Sequence, residues 1–326
     1  MSRLKRDLES GRAAAPASRP AIAQQPARRL TPSLILGIAS LAIVLAVAAY
    51  LLTRSRPASA PAQGTFTQLT DDPGPERFAS LSPDGRSLAY ASFASGNSDI
   101  YLLRVGGRNP VNLTQGAAAH DRQPAFSPDG EQIAFRSDRD GGGIFVMGAT
   151  GESVRRLTDA GHNPAWSPDG KQIVFGTEGI ERPEARFTTN SQLWVINLSN
   201  GEKRQLTRPD VVPDAVQPHW SPRGHRIAYW AIRGGQRDIW TVGADGSKPT
   251  AITQDAALDW SPVWSPDGKF IYFSSDRGGS MNLWRVPIEE TSGSVPGPPE
   301  PLTTPSPYAG LISISRDGRR IAYTSE

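Results

Sequence analysis

The tetrapeptide Ser82-Pro83-Asp84-Gly85 recurs as Ser127-Pro128-Asp129-Gly130, Ser167-Pro168-Asp169-Gly170 and Ser265-Pro266-Asp267-Gly268, with degenerate copies Ser221-Pro222-Arg223-Gly224 and Ser315-Arg316-Asp317-Gly318. A second marker, Leu or Ile followed by Thr, keeps the same phase at Leu69-Thr70, Leu113-Thr114, Leu157-Thr158, Leu206-Thr207, Ile252-Thr253 and Leu302-Thr303. A repeat of this length means stacked supersecondary units, each too small to bury its own apolar face. Within each unit the tetrapeptide reads as a hairpin turn: Pro presets φ, Asp tolerates the next position, and Gly supplies positive φ. Short β-prone runs flank it, as in Pro164-Ala165-Trp166 and Gln172-Ile173-Val174-Phe175. A third run carries an apolar-aromatic pair (Ile100-Tyr101, Ile144-Phe145, Leu193-Trp194, Ile239-Trp240, Leu283-Trp284), and a fourth ends at the next Leu-Thr. Four antiparallel strands per unit make a propeller blade, so the expected class is all-β.

Six of the eight tryptophans hold repeated slots: Trp166, Trp220 and Trp264 on first strands, Trp194, Trp240 and Trp284 on third strands. Packing between blades is their expected role, worth roughly 1.5 to 3 kcal/mol each. Trp230 and Trp260 fall outside the pattern, and Trp260 is expected in a loop.

The succession Pro-x-Trp-Ser-Pro-Asp-Gly, Ile-Ala-Tyr/Phe, Ser-Asp-Arg and Asp-Ile-Tyr/Trp resembles the WD40-like (PD40) repeat of TolB-type propellers over residues 66–326. The resemblance implies six blades and a ring closed by an N-terminal strand, here Phe66-Thr67-Gln68-Leu69-Thr70, that completes the last blade. It implies fold far more strongly than function. The sixth unit has Ile312-Ser313-Ile314 and Arg320-Ile321-Ala322-Tyr323, and no third run follows it before Glu326. An incomplete last blade is therefore expected, and the chain reads as a truncated copy of a longer protein.

Ahead of the repeats, residues 34–52 are nineteen residues without a charge. As a helix they would extend roughly 28 Å, close to the hydrocarbon thickness of a bilayer. Seven basic residues precede this stretch, and only Arg54 and Arg56 follow closely. By the positive-inside rule, residues 1–33 form a basic cytoplasmic tail, 34–52 a transmembrane helix, 53–65 a Pro/Ala-rich stalk, and 66–326 an extracytoplasmic propeller. The expected location is a bacterial inner membrane, crossed once, with the propeller periplasmic or extracellular. Ala58-Ser59-Ala60 offers a signal-peptidase pattern as the rival reading, opposed by the long leader and by Pro61.

Charge placement excludes a polyanion-binding propeller. The net charge is +3, yet residues 57–326 hold 26 basic and 30 acidic residues, so nucleic acid is not an expected partner. No cysteine is present, which removes disulfides and thiolate chemistry. No Gly-x-Ser-x-Gly elbow or kinase motif appears, and His120, His162, His219 and His225 fall in different units. Asp138-Arg139-Asp140-Gly141 superficially resembles the start of a calcium loop but reads as a hairpin turn. No catalysis, metal or cofactor is expected.

In a four-stranded meander the turns alternate ends, so the variable loops gather opposite the Ser-Pro-Asp-Gly turns. That face, bearing Glu76, Arg77, His120, Asp121, Arg122, His162, Asp214, Asp259, Trp260, Tyr308 and the insertion 178–192, is the expected surface for a protein or peptide partner. The function expected is a membrane-anchored binding or sensing module. A second reading comes from residues 3–12, which are similar to the segment after the catalytic domain of bacterial receptor-like serine/threonine kinases. On that reading the chain is the kinase's sensor portion. A membrane-bound winged-helix regulator as parent and a metal-dependent propeller enzyme are further alternatives.

Overall fold

In the computed structural model, the described residues are 41, 43–46, 64–70, 74–180, 182–185, 190–302 and 304–325. The chain divides into two units, Met1–Pro57 and Ala58–Glu326. Within the first, Leu41 and residues 43–46 are helical, and the rest of the expected span 34–52 lies outside the described residues. Among the described residues no helix is long and apolar enough to cross a membrane.

The second unit is an all-β propeller of five four-stranded antiparallel sheets and a sixth sheet of two strands. Blade one holds β1 (Glu76–Leu81), β2 (Ser87–Ser92), β3 (Asp99–Arg104) and β4 (Val111–Asn112). Blade two holds β5 (Asp121–Phe126), β6 (Gln132–Ser137), β7 (Gly143–Gly148) and β8 (Arg155–Arg156). Blade three holds β9 (His162–Trp166), β10 (Gln172–Gly176), β11 (Leu193–Asn197) and β12 (Lys203–Gln205). Blade four holds β13 (Val216–Trp220), β14 (Arg226–Arg233), β15 (Gln236–Gly243) and β16 (Thr250–Ala251). Blade five holds β17 (Asp259–Trp264), β18 (Phe270–Ser275), β19 (Asn282–Pro287) and β20 (Glu300–Pro301), and the sixth sheet holds β21 (Ala309–Ile314) and β22 (Ile321–Ser325).

The repeat pattern predicts six units with the last incomplete, and among the described residues the sixth unit has its first two strands. Residues 66–70, expected as a strand, have no strand geometry. The reason is physical: a fourth strand needs a third strand's backbone beside it, and the described residues supply none.

Each Ser-Pro-Asp-Gly turn is built alike. Ser82 Oγ donates to Asp84 Oδ1 at 2.6 Å and accepts from the Ser87 N–H at 2.9 Å, while Asp84 Oδ1 accepts from the Arg86 N–H at 3.0 Å. The turn glycines all have positive φ, 67° at Gly85 and 81° at Gly130. These bonds hold the carboxyls of Asp84, Asp129, Asp169 and Asp317 below the usual range, the serine hydroxyl contributing most, so the turn aspartates are ionised structural groups. Where Arg223 replaces the Asp, Glu290 of blade five accepts from the Arg223 N–H and from its guanidinium, both at 2.9 Å.

The Leu-Thr marker also has a structural task. The hydroxyls of Thr114, Thr158, Thr207 and Thr253 accept from the N–H of Ile100, Ile144, Leu193 and Ile239 at 2.9 to 3.0 Å. Those four aliphatic residues are fully buried, each worth roughly 1.5 to 3 kcal/mol. The threonine therefore fastens the third strands of blades one to four at a fully buried residue.

Candidate functional site

The first strand of every sheet carries one non-glycine residue in the left-handed region: Phe78, Gln123, Asn163, Gln217, Ser261 and Leu311, with φ between 49° and 59°. The pairing register shifts at each of these positions, as expected for a β-bulge. A bulge spends one residue without a ladder partner, which is why prolines fit immediately after it at 124, 164, 218 and 262. All six bulge residues line one axial cavity of about 460 Å³.

This cavity is a funnel that opens on the Ser-Pro-Asp-Gly face. Its rim is Pro83, Pro128, Pro168, Pro222 and Pro266, with Arg316 in the sixth place, and its walls include Trp166, Trp220 and Trp264. Arg316 is the one formally charged side chain among its described lining residues; amides and hydroxyls supply the remaining polarity. The turns pack in a circle: a β-carbon on Gly130 would stand 3.4 Å from Pro83 Cδ, and one on Gly268 3.3 Å from Pro222 Cγ.

Bonds along the walls tie blade one to two, two to three, four to five, and five to the sixth sheet. Ser80 Oγ accepts from the Phe126 N–H (3.1 Å), Gln123 Oε1 from Asn163 (2.8 Å), His219 Nδ1 from Trp264 (3.3 Å), and Ser261 Oγ from Ile312 (3.1 Å). Ser313 Oγ then accepts from the Leu81 N–H at 2.9 Å, so the two-stranded sheet closes the ring onto β1. Arg320 adds a 2.5 Å bond to the Gly85 carbonyl. His219 works as an acceptor because it is neutral: burial pulls its pKa down to about 4.

The ten residues expected on the opposite face do gather at the N-terminal ends of the first strands, but several are not displayed there. Asp121, Asp214, Asp259 and Trp260 are fully buried. Trp260 is not in a loop: it is the second residue of β17, its Nε1 donates to Met281 Sδ at 3.3 Å, and its ring lies 6.3 Å from that of half-buried Tyr308. Asp121 and Asp259 are clasped by Arg139 (2.5 Å) and Arg277 (2.6 Å) from the loops after their second strands, and Asp214 accepts from the Ser191 and Ile232 N–H groups. Burial still raises the pKa of Asp121 and of Asp259.

Half-buried Arg122 pairs with Asp138 at 2.8 Å, and Asp138 also meets Arg136 at 2.7 Å, so the carboxylate of the would-be calcium loop is already engaged. His162 is half-buried with its pKa lowered to about 4, by burial first and then by Arg136 and Arg122. Exposed His120 accepts from the Ser98 N–H at 3.1 Å. Glu76 and Arg77 are half-buried and line a second cavity beside the sixth sheet. In the insertion 178–192, residues 181 and 186–189 lie outside the described residues. Its Ile180 is buried in the apolar cluster that holds Phe78, Trp230, Trp260 and Leu311. Ile180 and Trp260 thus fill part of that end with apolar side chains, whereas the turn end carries the 460 Å³ cavity. Among the described residues no group of three or more His, Asp or Glu could hold a metal ion.

The funnel is not evident in the sequence because its serines and prolines all read as turn or strand residues. The signal available was Arg316, the single departure from proline among six equivalent rim positions.

Comparison with known proteins fits this geometry. The family model "TolB beta propeller domain" (PD40) matches residues 62–189 and 184–326. A putative TolB from Agrobacterium tumefaciens superposes with a TM-score of 0.60 at 24% identity, covering 79% of this chain and 93% of that one. TolB from Acinetobacter baumannii gives 0.56 at 23%, covering 68% and 53%. An oligogalacturonate lyase in complex with manganese gives 0.55 at 16%, covering 76% and 69%. At these identities the likeness is one of fold alone. Among curated sequences, dipeptidyl-peptidase 5 of Porphyromonas gingivalis is 35% identical over 144 residues, which is 40% of this chain and 20% of the peptidase. An uncharacterized protein of Agrobacterium fabrum is 33% identical over 103 residues, 31% of this chain and 35% of that one. The chain thus spans a fifth to about a third of the length of these two curated relatives. With both model matches lying end to end across the repeats, the chain belongs to the TolB beta-propeller (PD40) family.

Proposed function

We propose that this chain is a membrane-anchored, extracytoplasmic six-bladed propeller that serves as a protein-binding or ligand-sensing module, with an extended segment of its partner entering the funnel on the Ser-Pro-Asp-Gly face. The observation that carries the reading is the funnel itself: a concave, largely uncharged site of about 460 Å³, rimmed by five prolines and walled by three tryptophans. Such walls offer large apolar area at little conformational cost, which suits a peptide or loop better than a polyanion. Arg316 at the rim favours a segment bearing a carboxylate. The anchor and the extracytoplasmic location rest on the uncharged stretch 34–52 and the basic residues before it.

Peptide selection against the full chain tests the site. Selected peptides should carry a carboxylate and lose about tenfold in affinity on Arg316→Glu, a change of roughly 1.4 kcal/mol. Peptides indifferent to both Arg316→Glu and Pro168→Asp would contradict the placement.

A second reading, the sensor portion of a transmembrane serine/threonine kinase, draws on residues 3–12 alone. A kinase reading frame joined upstream would establish it, and an upstream sequence without one would remove it.

A further inference from the structure

His219 holds a place in the ring that a serine fills elsewhere. Ser80, His219 and Ser313 each stand two residues before the first residue of their tetrapeptide, and each accepts a backbone N–H from the next sheet. A hydroxyl therefore suffices for that bond. The imidazole makes it with Nδ1, and a neutral ring whose Nδ1 accepts carries its proton on Nε2. His219 is half-buried and lines the funnel, and the bond to Trp264 is the one hydrogen bond its ring makes among the described residues. The nearby Trp220 backbone opposes the fall in its pKa, second to burial, but forms no second bond. One N–H donor is thus left over on the wall of blade four.

Blade three supplies the matching acceptor. The side-chain oxygens of Gln123, Gln217, Ser261 and Ser313 are all spent on N–H groups of the ring. Asn163 Oδ1 is not: it is buried without a hydrogen-bond partner, on a residue that also lines the funnel. Asn163 lies on β9 and His219 on β13, neighbouring inner strands. The same wall carries the Nε1 atoms of Trp220 and Trp264, which are buried and likewise unpartnered, whereas Trp166 Nε1 donates to the Ala125 carbonyl at 2.9 Å.

We infer that blades three and four read a primary carboxamide, an Asn or Gln side chain of the segment that enters the funnel, with His219 Nε2–H donating to its oxygen and Asn163 Oδ1 accepting from its NH2 group. The assignment rests on the funnel being the binding site and adds what that site selects. A carboxamide presents donor and acceptor on one planar edge, while a trans main-chain amide points them in opposite directions. A carboxylate would set an acceptor against Asn163 Oδ1 and bury a charge on a wall whose charged lining residue, Arg316, belongs to the sixth sheet.

The test uses the full 326-residue chain and peptides selected against it whose binding depends on Pro168 and Arg316. Each should carry an Asn or Gln whose change to the isosteric Asp or Glu weakens binding at least about tenfold. His219→Ser should weaken the parent peptide about fivefold and leave the acid-bearing peptide unaffected, with thermal unfolding at the wild-type temperature because a serine keeps the bond to Trp264. Funnel-dependent peptides without a carboxamide, equal binding of amide and acid forms, or unchanged affinity on His219→Ser would each overturn the assignment and leave the funnel reading standing. Peptides indifferent to Pro168 and Arg316 would remove both. Nitrogen NMR of the wild-type imidazoles supplies a check that needs no variant: His219 should be the Nε2–H tautomer, with a resonance that moves on adding acetamide and not acetate. The Nδ1–H tautomer, or an equal response to acetate, would also overturn the assignment.

Discussion

Acid should loosen the ring at His219. Its Nδ1 accepts from the Trp264 N–H at 3.3 Å, a bond between blades four and five that exists only while that nitrogen is unprotonated. Burial holds the folded pKa at about 4, against 6.5 for a free imidazole. As pH falls below 6.5 the unfolded chain takes up a proton that the folded chain refuses, so stability drops progressively and the loss is complete below about pH 4. At about 1.4 kcal/mol per pKa unit, the shift limits the effect to about 3 kcal/mol, and water entering the funnel reduces it. His162, also near 4, adds to the loss. Asp238, raised to about 6 mainly by burial, acts with the opposite sign, because its folded form protonates first and gains stability as pH falls. A raw pH profile therefore mixes both signs, and the comparison that isolates His219 is with His219→Gln, which keeps an acceptor and does not titrate. Urea unfolding followed by tryptophan fluorescence should show wild type losing roughly 2 to 3 kcal/mol relative to the variant between about pH 7 and pH 4. Curves that stay parallel across that window would refute the neutral-acceptor role.

Three substitutions probe the same ring. Ser313→Ala strands the Leu81 N–H at the closure and should cost about 1 to 2 kcal/mol in urea unfolding, whereas Ser313→Thr should retain most of the stability. Arg277→Leu leaves the buried Asp259 carboxylate without its 2.6 Å partner; a loss of about 3 to 5 kcal/mol is expected at neutral pH, with part of it recovered in acid as Asp259 protonates. Gly310→Ala would set a β-carbon 2.3 Å from Trp260 Cζ2, for about 1 to 3 kcal/mol in a thermal melt, relieved when Trp260→Leu is added.

The repeat was legible because its turns depend on local chemistry: Ser, Asp and Gly bond within their own tetrapeptide, so spacing alone locates the hairpins. The third strands were legible for a related reason, since Ile100 or Leu193 can be so apolar only where both flanks are covered. The bulges were not. Phe78, Gln123 and Leu311 share no side-chain chemistry, and what they share, a left-handed φ, is set by the curvature of the inner strand. Missing the bulge meant missing the funnel, because the bulge residues line it. Trp260 was misjudged as a loop residue because it precedes the repeat's regular tryptophan, and only the fold shows β17 starting early enough to bury it.

Site-directed photo-crosslinking in cells producing the full chain tests the funnel most directly, with one photoreactive residue at rim position Pro168 and another at exposed His120 on the far face. Discrete partner adducts from position 168, lost on Arg316→Glu and absent from position 120, are the predicted result. Adducts from position 120 alone would contradict the funnel and return the binding surface to the opposite face.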